Sequence, residues 1–260
     1  MRIFLFLPIL LLQGAALYAQ PAAYSAANAH SHNDYEQKEP FLQAYRAGFG
    51  SIEADIFLRE GELYVAHDPE DIQPGRTLEA LYLQPAAAAF RSNKGRAFPG
   101  SGRTFQLLID LKTDAGGTLP VLTEQLGRYP GLFDAAANPD AVKVILSGNR
   151  PDPASWPAAP SFIYFDGRPG EDYAPAVLER IALVSDSFGK YSQWKGEGPI
   201  PGNERQSLLK VVKSAHEKGK PFRFWAVPDT PAAWKLMTEL GVDFINTDTI
   251  EDLAAWLEKR

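Results

Sequence analysis

Short apolar runs rich in β-branched and aromatic residues alternate with amphipathic stretches along this chain, and that alternation constrains the fold more than any other feature. The runs are residues 26–30, 51–58, 105–112, 142–147, 162–165, 182–186, 222–227 and 243–247. Helical spacing fills the gaps: Glu39 to Ala47, a stretch opening at Thr77, Leu119 to Leu126, and Asn203 to Lys218. In the last of these, Leu208, Leu209, Val212 and Ala215 share one face. Thr230 followed by Pro231 reads as a cap with proline in the first turn, and Asp248 or Thr249 as the cap of the final helix. Glu60-Gly61-Glu62 predicts a turn that brings Leu63–Ala66 back as a hairpin. Strand then helix, eight times over, predicts a parallel (β/α)8 TIM barrel, and a chain of 260 residues suits one such domain of roughly 250. An open doubly wound sheet is disfavoured. Gly48-Phe49-Gly50 precedes a strand, whereas a dinucleotide turn follows one. The Pro- and Gly-rich stretches 149–160, 167–175 and 196–202 lack repeat order and read as loops.

Residues 1–19 have a different character. Arg2 is followed by an apolar run from Ile3 to Leu12, then by small residues up to Ala19. This is the order of a secretory signal peptide, so the expected division is a leader at 1–19 and a barrel domain at 20–260. The run is short for a membrane span, and no later run is longer. The expected location is exported, in the periplasm or the medium. The chain has no cysteine, which excludes a lipid anchor on Cys, disulfides, thiolate metal sites and a Cys nucleophile. A formal charge of -6 with acids and bases well mixed leaves no basic stripe, which argues against a nucleic-acid polymer as partner.

Barrel sites lie at the C-terminal ends of the strands. His30 and His32 end the first run, Glu53 and Asp55 lie two apart on the second, and Asp110 and Lys112 two apart on the third. Residues two apart in a strand share a face, so each pair can look into the barrel mouth. Further round are Ser147, Asp166, Asp186, Trp225, Asn246 and Asp248. Three carboxylates brought together repel unless a cation lies between them. Oxygen donors without thiolates favour Mg²⁺ or Ca²⁺ over Zn²⁺. Lys112 suits a phosphate oxygen, and two histidines suit shared acid and base roles. Asp68 reads equally as an orienting partner of His67 or as a ligand. Trp225 reads as barrel packing or as a substrate contact. His216, near a Lys-rich helix end, reads as a solvated residue.

These residues resemble the PLC-like phosphodiesterases, and among them the glycerophosphodiester phosphodiesterases. The resemblance rests on Ala29-His30, Glu53-Ala54-Asp55, His67-Asp68 and Asp110-Leu111-Lys112, in that order. Phe224-Trp225-Ala226-Val227 and the segment Leu240 to Asp248 are similar to the family's closing strands. The resemblance implies one divalent cation on Glu53, Asp55 and Asp110. It also implies His30 and His67 as the general acid/base pair, with Lys112 stabilising charge on phosphorus. Substrate contacts are expected from His32, Asn33, Trp225 and Asn246. Departures from the pattern are Ser31-His32 where the family has Arg-Gly, Asp110 where Glu is usual, and Pro228 in place of Asn. Asp110-Leu111-Lys112-Thr113 and Ala29-His30-x-x-Asn33 look more like venom sphingomyelinase D, a relative on the same barrel. The expected activity is metal-dependent cleavage of a glycerophosphodiester or a phospholipid-derived diester. A phosphomonoesterase and a non-catalytic ligand-binding barrel are the alternatives.

Overall fold

Alternation along each strand builds this molecule from the inside out. In the computed structural model, which describes residues 21–259, every expected strand is present. They are β1 (Ala29–Ser31), β2 (Ser51–Arg59), β4 (Gln106–Leu111), β5 (Lys143–Gly148), β6 (Ile163–Gly167), β7 (Ile181–Ser187), β8 (Phe222–Trp225) and β9 (Ile245–Thr247). The expected hairpin strand, β3 (Glu62–Val65), lies antiparallel on the upper half of β2 and pairs Ile56 with Val65. The parallel strands run in the order β8-β7-β6-β5-β4-β2-β1-β9. A parallel bridge between Arg223 and Phe244 brings β8 to the segment leading into β9, so the ring is nearly closed. The leader expected at residues 1–19 lies outside the described residues.

Helices cover the outside: α1 (Leu42–Arg46), α2 (Gln84–Ser92), α3 (Ala115–Gly127), α4 (Pro130–Phe133), α5 (Pro175–Glu179), α6 (Gly202–Glu217), α7 (Pro231–Leu240) and α8 (Ile250–Leu257). Caps set several boundaries. Thr230 Oγ1 accepts from Ala233 N–H at 3.2 Å, and Thr77 Oγ1 from Ala80 N–H at 3.2 Å, as their sequence context predicts. Asp114 accepts from Gly117 N–H at 3.2 Å and carries α3 back through Gly116 and Gly117, further than propensity suggests. The last helix departs from expectation: neither Asp248 nor Thr249 caps it with a side chain, and Asp248 instead binds His32. His216 is also not solvated. It is buried at the end of α6, 2.8 Å from Asp243, whose other bond, from Phe222 N–H at 2.7 Å, ties the start of β8 to the entry to β9.

Two apolar layers result. Outward residues such as Ile52, Ala54, Ile109, Leu146 and Phe224 pack beneath the helices in the main core. Inside the ring, Leu108, Ile145 and Leu183 form a small apolar plug with Tyr164 and Phe244 against it. Above this plug the inward side chains turn polar. A barrel interior is ordinarily filled by bulky branched side chains, so the polar layers mark the working end.

Candidate active site

Strand register decides which polar side chains share a level. His30 pairs with Ser51 on one side and Asn246 on the other; Asp55 pairs with Asp110, and Asp110 with Ser147. Beside and above the apolar plug lies a closed polar cluster of His30, Ser51, Glu53, Arg223 and Asn246, all almost wholly buried, with Glu53 paired in register with Leu108 of the plug. One layer higher, a cavity of about 320 Å³ opens. His32, Asn33, Glu53, Asp55, His67, Asp110, Lys112 and Trp225 line it, joined by Ser147, Arg168 and Arg223.

Two of the expected site residues do not reach the cavity wall. His30 has no exposed surface, with Nδ1 2.6 Å from Ser51 Oγ and Nε2 2.6 Å from Glu53 Oε2. Burial, then the adjacent Arg223 charge, pushes its imidazole down to about 3. The ring is therefore neutral, and its contact with Glu53 is a hydrogen bond rather than an ion pair. Asn246 lies beside it, with Oδ1 3.3 Å from Arg223 Nη1. The spacing along β1 explains the difference in depth between its two histidines. His30 and His32 face the same way, but two residues of strand separate them by about 6.6 Å along the strand.

His32 occupies the higher position. Its Nδ1 is 2.7 Å from Asp248 Oδ1, leaving Nε2 as the ring nitrogen free for the cavity. Burial disfavours its charged form, but the Asp248 bond and the Glu53 charge outweigh this and raise its pKa. His67, half exposed, is held in a parallel way: Nδ1 lies 3.1 Å from Tyr35 Oη and 3.4 Å from Asp55 Oδ2. Tyr35 Oη also lies 2.8 Å from both Asp55 Oδ2 and Asn33 Oδ1, so one phenol ties three functional side chains together. Asn33 sits in the left-handed region, φ 46°, which asparagine tolerates better than most residues.

The carboxylates are crowded and braced by cations. Lys112 Nζ lies 2.9 Å from Asp55 Oδ2 and 3.1 Å from Asp110 Oδ1. Arg223 Nη1 lies 2.7 Å from Glu53 Oε2. Burial, with the Glu53 and Asp110 charges added, raises Asp55 to about 6. Burial also opposes ionisation of Glu53, but Arg223 and the His30 bond outweigh it and hold Glu53 well below the usual carboxylate range. Lys112 stays protonated because Asp110 and Asp55 more than offset its partial burial.

Among the described residues, no group of three Asp, Glu or His side chains stands close enough to hold a cation as placed. The donor chemistry nonetheless fits one. Three carboxylates face a single cavity, and Asp55 Oδ1 is buried without a hydrogen-bond partner. Oxygen donors of this kind suit a hard divalent ion.

Sequence reasoning missed Arg223 and Arg168. Arg223 was nevertheless legible: it lies two residues before Trp225 on the same strand, so the alternation that turns Trp225 inward turns Arg223 inward too. Arg223 thus brings a guanidinium beside His30 from β8, two strands away by way of β9. Arg168 lies just beyond β6, where no periodicity operates.

A family model described as the AIM6-like phosphodiesterase domain matches residues 22–151, half of the chain. The chain belongs to this family. A second model, the glycerophosphoryl diester phosphodiesterase family, matches residues 221–251, the closing part of the barrel. The altered inheritance of mitochondria protein 6 homolog of Arthroderma benhamiae is 28% identical, covering 85% of this chain and 81% of the relative. The protein of that name from Eremothecium gossypii is 27% identical over 85% of this chain and 67% of its own length. The crystal structure of a glycerophosphodiester phosphodiesterase from Parabacteroides distasonis superposes with a TM-score of 0.56 at 17% identity, covering 90% of this chain and 97% of that one. That likeness establishes the fold.

Proposed function

We propose that this protein is a metal-dependent phosphodiesterase, cleaving glycerophosphodiesters or related headgroup diesters, with His32 and His67 rather than His30 and His67 as the acid/base pair. One observation carries the reading: two imidazoles, each with Nδ1 engaged and Nε2 free, share a cavity with three carboxylates and Lys112. Glu53, Asp55 and Asp110 would hold a Mg²⁺ or Ca²⁺ ion. When bound, such a cation polarises a phosphoryl oxygen as a Lewis acid.

The side chains have distinct work. One imidazole takes the proton of the attacking water or substrate hydroxyl as the new P–O bond forms. The other gives a proton to the departing alkoxide oxygen as the old P–O bond breaks. Asp248 fixes the orientation of His32, and Tyr35 with Asp55 fixes that of His67. Lys112 balances charge on the non-bridging oxygens. Attack by water gives a monoester and an alcohol; attack by a neighbouring substrate hydroxyl gives a cyclic phosphate. Residues 1–19 support export of the mature chain.

The test is an assay on bis(p-nitrophenyl) phosphate and a panel of glycerophosphodiesters, with and without EDTA. Chelation and Glu53→Ala are each expected to abolish turnover. His32→Ala and His67→Ala should each lower kcat by about 10²-fold or more. Turnover that persists in EDTA would overturn the metal assignment. Cleavage of p-nitrophenyl phosphate in preference to the diesters would favour a monoesterase.

A further inference from the structure

The metal-facing and His-bearing walls leave one side of the cavity unexplained, the side built by Arg168, Ser147 and Trp225. Arg168 follows β6. In the ring, β6 is four strands from β1 by way of β2, β4 and β5, and four by way of β9, β8 and β7. Arg168 therefore stands across the mouth from His32. Its guanidinium is anchored from behind: Nη1 lies 2.6 Å from Asp166 Oδ2 and 3.0 Å from the Gly167 carbonyl oxygen. Asp166 is wholly buried and also accepts from the hydroxyls of Ser147 and Ser185. The loop is pinned as well, since Arg168 N–H donates to Tyr173 Oη at 2.8 Å. Nη2, by contrast, makes only a 3.4 Å approach to Ser147 Oγ. The buried pair thus turns its cationic end to the cavity and keeps donors in reserve there.

Trp225 sharpens the chemistry. The Arg168 guanidinium lies 5.1 Å from its ring centroid, over the face that a quaternary ammonium would use. Among the described residues, Trp225 is the sole Phe, Tyr or Trp side chain in this cavity lining, so no aromatic cage remains for a choline-type cation. A planar, fixed guanidinium is instead the group that carboxylates and phosphates recognise in two-pronged fashion.

We propose that Arg168, held by Asp166 and backed by Trp225, forms a second anion subsite, so that the preferred substrate is a phosphodiester whose arm carries a carboxylate or phosphate. The assignment rests on the phosphodiesterase reading of the same cavity and adds the class of substrate to it. Arg168 is a specificity residue; the reacting phosphorus belongs to the opposite wall.

The experiment uses p-nitrophenyl phosphodiesters with one leaving group and four arms: choline, ethylene glycol, glycolate and ethylene glycol phosphate. The anionic arms should exceed ethylene glycol by about tenfold in kcat/KM, the worth of one charge-assisted hydrogen bond, with choline the poorest. The last two arms distinguish carboxylate from phosphate. In Arg168→Met the ratio of anionic to neutral arms should fall towards one, while Arg168→Lys retains part of it. Calorimetric titration of the wild-type protein with the same diesters ranks affinities whether or not they turn over, and whether or not Arg168→Met folds. Equal affinities, or a preference for choline, overturn the subsite. Absence of turnover with the anionic ranking intact would count against the phosphodiesterase reading and for the subsite.

Discussion

His30 and His32 lie two residues apart on one strand, face the same way, and meet different environments. His30 has both ring nitrogens engaged inside the barrel and is neutral, so it serves as a strut beneath Glu53. His32 reaches the cavity, and a carboxylate behind it favours its protonated form. Their variants should differ in kind. His30→Gln is expected to lower stability by about 1–3 kcal/mol, because a buried hydrogen-bonded ring is replaced imperfectly. The shape of its kcat/KM pH profile should be retained. His32→Ala is expected to unfold at nearly the wild-type denaturant midpoint, since Asp248 is largely exposed, while its turnover collapses. Paired chemical melts and pH–rate profiles separate the two. If His30→Gln erased a limb of the pH profile and His32→Ala did not, the exchange of roles would be wrong.

At the scale of elements, the β4–β5 pairing puts Asp110 at the cavity edge, and the end of β5 depends on one glycine. Gly148 has φ 68°, and a Cβ placed there would lie 2.5 Å from Asp110 Oδ1 and 2.6 Å from the Leu111 carbonyl oxygen. No side chain fits without moving the carboxylate. Gly148→Ala should therefore weaken cation binding as well as stability. Gly219→Ala is the control: its φ is 70° with open space around it, so only backbone strain of about 1 kcal/mol applies. Cation titration followed by thermal shift distinguishes a loss at Asp110 from strain alone. The elements themselves were largely legible, because alternation and helix spacing are local properties. The exceptions have one local and one long-range cause. The α3 start was missed because the Asp114 cap offsets two glycines, and the α8 cap because Asp248 serves a histidine instead.

For the molecule as a whole, the polar layer above the plug is a liability unless every charge is matched. Glu53 and Arg223 form a buried pair, and removing one partner strands the other. Arg223→Met should cost about 3–5 kcal/mol in urea melts, far more than loss of an exposed ion pair such as Arg46–Glu39. A bound divalent cation should act oppositely. At 100 times its Kd it adds about 2.7 kcal/mol to folding stability and raises the Tm, and EDTA reverses the gain. Asp55→Asn should remove that response. A Tm indifferent to Ca²⁺ and Mg²⁺ in the wild-type protein would contradict the cation proposal directly.

Periodicity in the sequence alone determined the eight-stranded barrel and brought Glu53, Asp55, Asp110, Lys112 and His32 to its C-terminal mouth, since strand alternation is written residue by residue. Only the tertiary structure decided depth and partnership. Which histidine clears the closed layer depends on where β1 sits against β2 and β9. That Arg168 joins the site depends on the segment just beyond β6, more than a hundred residues away from β1. Register between distant strands is fixed by packing across the whole ring, and no local pattern in the chain records it.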